Sequence, residues 1–180
     1  MTLSLTPLRT GAFLLATLST AIVADIQPAK ADAKAFFGTL EGKFKGRGKA
    51  VPQGGTKPVS ISCRVSNTYS AGSGQLKISG NCASTQGKAK VSGALKHNGN
   101  RVSGSFISPF ADMRLTSSSG SYSGGKLDVV SNFVEKGSGK LQRMRQIVKK
   151  AGNGFRTDFY TFDSATKKYK AAGSIIFTKN

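Results

Sequence analysis

The chain has no tryptophan, one histidine, two cysteines, five prolines and only eight acidic residues in 180. Each shortage excludes something. Cages for hard cations are built from several carboxylate or carbonyl oxygens, and the acids here are too few and too scattered for one. Zinc centres need clusters of His and Cys, and His97, Cys63 and Cys82 do not make a set of four. No dedicated metal or cofactor site is expected. G-x-S-x-G, the strand-to-helix elbow of serine hydrolases, is absent. The Gly120-Ser121-Tyr122-Ser123-Gly124-Gly125-Lys126 stretch has the glycine and lysine spacing of a phosphate loop. Leu127 stands where such a loop needs Ser or Thr, and no strand–helix–strand context surrounds it, so it reads as a Gly/Ser-rich turn. His97 has no acidic neighbour in sequence. Asp158 and Asp163 are the one candidate carboxylate pair, more simply read as lysine-paired surface acids. Without a motif in its structural context, a hydrolase is a remote reading and a non-catalytic protein is expected.

What is present begins at the N-terminus. Arg9 precedes an apolar stretch at residues 11–24, and Ala29-Lys30-Ala31 follows at cleavage-site distance. A basic start, a short apolar core and an A-x-A triplet are the parts of a secretory signal peptide. A membrane span needs about 20 apolar residues, whereas this core carries Thr17, Ser19 and Thr20. The expected organisation is a signal peptide over 1–31, no membrane anchor after cleavage, and one domain over 32–180, located in the periplasm or secreted. The remaining 149 residues carry 25 basic and 7 acidic side chains, a net charge of +18. Such a field attracts anionic partners in a salt-sensitive way.

The domain reads as short strands punctuated by glycine. Over 36–49, Phe36, Gly38, Leu40, Gly42, Phe44, Gly46 and Gly48 alternate with Phe37, Thr39, Glu41, Lys43, Lys45, Arg47 and Lys49. Period two with one apolar or glycine face predicts a half-buried strand, whose other face is an outward basic row. Residues 59–83 predict a hairpin: with the turn centred between Gly72 and Ser73, Cys63 falls opposite Cys82, Val65 opposite Gly80 and Tyr69 opposite Leu76. Two such cysteines in an exported chain are expected to form a disulfide. Val91, Gly93 and Leu95 mirror Val102, Gly104 and Phe106 about Asn98-Gly99, the preferred pair for a type I′ turn. Strands follow around 127–134, 155–162 and 169–178. Residues 140–150 fit either a basic amphipathic helix or a strand, the strand agreeing with its neighbours. The pattern as a whole predicts an all-β, single-domain antiparallel β-barrel, with a monomer expected.

Phe36-x-Gly38 … Gly42-x-Phe44-x-Gly46-x-Gly48 resembles the first strand of calycin-type barrels, which often carry Gly-x-Trp there; Phe44 takes the place of the tryptophan. The set Cys63-Arg64 … Gly74-x-Leu76 … Cys82-Ala83-Ser84 … Gly93 … Gly104 is similar to a group of small uncharacterised exported proteins of alphaproteobacteria. The resemblance implies a calycin-like meander, a closed barrel able to hold one small apolar ligand, and carries no activity with it.

Two binding readings follow. In the first, the barrel holds a small apolar or amphiphilic ligand. On an inward face of a strand over 141–149, Arg143 or Arg145 would meet its acidic head group, with Phe155 and Phe159 nearby. The same face in solvent would make those arginines surface residues. In the second, the cavity is filled and a basic exterior docks on anionic envelope polymers such as lipopolysaccharide or acidic polysaccharide. Its candidate cations are Lys43, Lys45, Arg47, Lys49, Lys149 and Lys150, with Lys140 and Arg156 beside the latter pair. Phe155, Phe159, Tyr160 and Tyr169 interleave with these charges but read as core, and no nucleic-acid motif accompanies them, so no specific nucleic-acid partner is expected.

Overall fold

A computed structural model describes residues 32–51, 57–85, 87–108 and 113–180. The expected signal peptide over 1–31 lies outside the described residues. One short helix, α1 (Ala33–Thr39), precedes ten strands: β1 (Gly42–Ala50), β2 (Val59–Ser70), β3 (Gln75–Ser84), β4 (Gly87–Asn98), β5 (Arg101–Ser108), β6 (Met113–Ser123), β7 (Lys126–Glu135), β8 (Leu141–Ala151), β9 (Gly154–Asp163) and β10 (Lys168–Lys179). Each strand pairs antiparallel with its sequence neighbours, and β1 pairs with β10 to close the barrel.

The alternation seen in sequence becomes inside and outside. In β1, Phe44 and Gly46 are buried while Lys43, Lys45, Arg47 and Lys49 are exposed. Small residues there make room for large ones: a Cβ on Gly46 would stand 2.5 Å from the Phe177 ring, so the glycine lets β1 close onto β10 over an aromatic interior. Phe155 is the hub of that interior. Its ring centroid lies 4.9 Å from Phe44, 5.2 Å from Phe106 and 4.6 Å from Phe177, with all four residues essentially inaccessible. Edge-to-face and offset-stacked rings at these separations are mutually attractive beyond the area they bury.

The strand expected over 36–49 starts only at Gly42. Asp32 caps α1, its carboxylate accepting from the Lys34 N–H. Phe36 and Phe37 are consecutive and both buried, which a strand with one wet face cannot achieve and one turn of helix can. Phe36 packs against Tyr122, and Phe37 against Tyr69 and His97, so α1 stoppers one end of the barrel. Asn67 fastens it there by donating a 2.8 Å hydrogen bond to the Leu40 carbonyl.

The first hairpin has the expected register, and Cys63 and Cys82 form a disulfide. That bond suits an oxidising compartment, and no helix among the described residues is long and apolar enough to cross a membrane. The second hairpin differs. Leu95 pairs with Gly104 and Asn98 with Arg101, so the two-residue turn is Gly99-Asn100 rather than Asn98-Gly99. Only Gly99 of the two has a positive φ, 57°, the pattern of a type II′ turn with glycine first. Slipping both partners by one residue keeps the alternation as far as Gly104, but Ser105, which alternation would place outside, is buried beside Phe106 and donates to Gln146 Oε1. The Gly/Ser-rich stretch from Gly120 is also not all turn: β6 continues to Ser123, and only Gly124 and Gly125 turn. Residues 141–151 form a strand, as their neighbours suggested.

β5 departs from the ladder. It pairs with β6 only at Arg101–Ser121 and Val102–Gly120. Beyond that its free edge tucks against the inner faces of β6, β7 and β8, where polar side chains replace the missing ladder partners. The Gly104 N–H donates to Ser118 Oγ, the Gly104 carbonyl accepts from Ser131 Oγ at 3.1 Å, and the Phe106 N–H donates to Gln146 Oε1 at 3.0 Å. Ser131 and Gln146 are buried polar residues on inward faces, present because a backbone edge inside a core must be satisfied.

Candidate binding surface

The two arginines proposed for an interior ligand are on the outer wall. On β8 the inward residues are Met144, Gln146 and Val148, so Arg143 and Arg145 point away from the core. Arg145 donates to Asp128 from Nε at 2.8 Å and from a terminal nitrogen at 2.5 Å. That pairing, outweighing partial burial, raises its already high pKa. Arg143 donates from Nε to Asn132 Oδ1 and lies 5.1 Å over the Phe162 ring. Phe155 and Phe159 are inward and buried, separated from both arginines by the sheet itself. The structure does not bring these four together.

The acids expected near the lysines are mostly absorbed by them. Asp158 accepts from Arg156 Nε at 2.6 Å and lies 3.5 Å from Lys149 Nζ. Asp163 pairs with Lys170. The two carboxylates sit on opposite faces of β9 and face different cations. His97 is not an isolated turn residue: its Nε2 shares a 2.8 Å hydrogen bond with the Tyr69 hydroxyl beneath α1. Burial, and then the charge of Asp32, raise the Tyr69 pKa. Among the described residues no group of three or more His, Cys, Asp or Glu is arranged to hold a metal ion.

The basic row of β1 is the nucleus of a much larger surface. Pairing continues it sideways over β2, β3 and β4: Lys45 opposes Arg64, Arg64 opposes Asn81, and Asn81 opposes Lys90. The next row runs from Arg47 through Ser62 and Ala83 to Lys88. In the other direction it reaches Ile176, Arg156 and Lys149, so Lys149 is three strands from Arg47 on the same outer wall. Three strand spacings are about 14 Å. Lys150 lies on the opposite face of β8 from Lys149, at the strand's end and exposed.

No family model matches this chain, and no curated protein does.

The feature that composition alone did not expose is the distribution of acids. Between Glu41 and Asp112 there is no Asp or Glu, while eleven Lys and Arg fall in that run. Folded, the run is β1 to β5, so half of the barrel has no carboxylate of its own. Scanning the spacing of acids, rather than counting them, would have found it. Lys45 and Arg64 are directly opposed like charges, an arrangement that destabilises a sheet unless something anionic lies over it. Ser60, Ser62, Ser66, Thr68, Ser70, Ser79 and Asn81 share the outward faces of β2 and β3 with Arg64 and Lys77, offering hydroxyl and amide donors between the cations.

Where β5 tucks inward, this basic face runs under the overhanging ends of β6 and β7. The resulting groove has a volume of about 920 Å³. One wall is polar and basic, with Ser66, Ser79 and Lys77; the other is apolar, with Met113, Leu115 and Phe133.

Proposed function

We propose that this protein is an exported, non-catalytic binding protein of the cell envelope, with a side-chain-filled barrel and a basic outer face over β1–β4 that docks on anionic envelope polymers. The observation that carries this reading is the carboxylate-free half of the barrel, with Lys45 directly opposite Arg64 on β1 and β2. A solubilising surface intersperses charges of both signs; this one uses a single sign over five consecutive strands. Packing inside the barrel favours the surface over the interior as the place of binding, because the rings of Phe44, Phe106, Phe155 and Phe177 occupy the volume that a cavity ligand would need. The signal-peptide pattern of residues 1–31 and the disulfide both support export.

The test is binding of dextran sulfate at graded salt by the native chain and by two triple variants. Lys45→Gln/Arg64→Gln/Lys90→Gln removes three cations from one row of the face. Lys126→Gln/Lys140→Gln/Lys168→Gln removes the same charge from β7, the residue before β8, and β10. The first should weaken binding more than tenfold and flatten the log–log salt dependence by about one unit of slope per cation in contact; the second should do little. Equal losses in both would reduce the effect to net charge and refute a defined face.

A further inference from the structure

The groove beside the basic face differs in kind from the face itself. An open basic surface needs only polar and charged groups to hold a polymer. Here Leu115 is 38% exposed and lines the groove with Met113 and Phe133, themselves nearly buried, and with Lys77 and Lys90. Leu115 pairs with Phe133 across β6 and β7 and stands on their inward-facing side, yet β5 has turned away beneath it and leaves it uncovered. The opposing wall is a ladder of serines, Ser66 against Ser79 against Ser92, flanked by Lys77 and Lys90 from the carboxylate-free half. A volume of about 920 Å³ lies in the range of small-molecule sites, about 300–1,000 Å³, in which an apolar lining with a few polar groups fixes orientation.

We infer that this groove binds a monomeric anionic amphiphile, with its alkyl chain against Met113, Leu115 and Phe133 and its anionic head on Lys77, Lys90 and the serine ladder. The inference rests on reading the β1–β4 face as anion-binding, and deepens it by naming a ligand with an apolar part. Apolar contact gives the affinity and the lysines give the head-group preference. A groove of this volume takes one alkyl chain with its head group, not a bilayer surface. Phosphate, sulfate and carboxylate heads share this chemistry.

Calorimetric titration of the full folded chain with dodecyl phosphate below its micelle concentration tests the inference, with inorganic phosphate and dextran sulfate as separate arms. Saturable binding of dodecyl phosphate at one per chain is expected, with none of inorganic phosphate at the same concentration. Leu115→Ser, at an already exposed position, should weaken dodecyl phosphate at least tenfold and leave dextran sulfate unchanged. Lys77→Gln/Lys90→Gln should weaken both. If Leu115→Ser leaves dodecyl phosphate binding intact, or if the chain sediments with phosphatidic acid vesicles but binds no monomer, the groove assignment is wrong. If dodecyl phosphate binds while dextran sulfate does not, the polymer reading fails and the groove stands.

Discussion

Replacing Phe155 by alanine probes the packed interior at its most connected point. Phe→Ala in a close-packed core costs about 3–5 kcal/mol, through lost transfer energy and the cavity left behind. Phe155 is fully buried and touches three other rings, edge-on to Phe44 and Phe106 and stacked on Phe177. Aromatic pairs contribute about 0.5–1.5 kcal/mol each beyond their area, so the upper part of the range applies, about 4–5 kcal/mol. The closed hydrogen-bonded cylinder around the ring limits how far the cavity can collapse. A domain of about 150 residues loses some 2–4 °C of Tm per kcal/mol, which gives a fall of roughly 8–20 °C. Urea unfolding followed by circular dichroism, with the disulfide intact, measures the free energy directly. Ile176→Ala, on the outer wall and 49% exposed, is the matched control and should stay within about 0.5 kcal/mol. A cost below about 1.5 kcal/mol for Phe155→Ala would mean that the ring does not fill a rigid interior, and the argument against an internal ligand would fall with it.

Opening the Cys63–Cys82 bond, whose partners are 19 residues apart in sequence, should cost about 3 kcal/mol in the chain-entropy model, read as a lower urea midpoint of Cys63→Ala/Cys82→Ala. Gly104→Ala should destabilise strongly. Its φ is 103° and an added Cβ would run into the Ala94 carbonyl oxygen, so β4 and β5 must part; hydrogen exchange should show lost protection at Phe106. Asp163 is held at about 2 by its bond to Lys170 and by the Thr166 and Ala165 N–H groups. A depressed carboxylate stabilises above its unfolded value near 4 and loses that contribution as pH falls toward about 2. Asp163→Asn should therefore remove part of the acid-side slope of stability over that window, and NMR titration should place the Asp163 midpoint below those of model carboxylates.

The barrel was legible in sequence because its alternation is strict wherever a strand has one dry and one wet face. Lys43 to Lys49 and the pairing of Cys63 with Cys82 both follow from period two and one turn position. Two things broke that logic. Phe36 and Phe37 fitted the alternating register by accident of the glycines after them, but the need to close the barrel's end converts them to a helix. Past Val102, β5 obeys a tertiary demand, and its partners Ser118, Ser131 and Gln146 come from strands 14 to 40 residues away. Periodicity is blind to such pairs. On β8 the sequence defined which residues share a face without saying which face was inside. Asp128 decides it for Arg145, since a guanidinium paired to a carboxylate on the neighbouring strand is satisfied at the surface and needs no ligand. The groove was illegible for the same reason as β5: Leu115 and Lys77 meet only because a strand between them turns away.

If binding happens on the outside of a filled barrel, a polyanion perturbs the outer wall and leaves the interior alone. Backbone amide shifts of the isotopically labelled protein, titrated with dextran sulfate, test it residue by residue. Perturbations are expected at Lys45, Arg64, Asn81 and Lys90 and their neighbours on β1–β4, with Phe155, Phe177 and the inner positions of β8 unmoved. Perturbations centred on Phe155 and Phe159, or spread evenly over β7–β10, would contradict it.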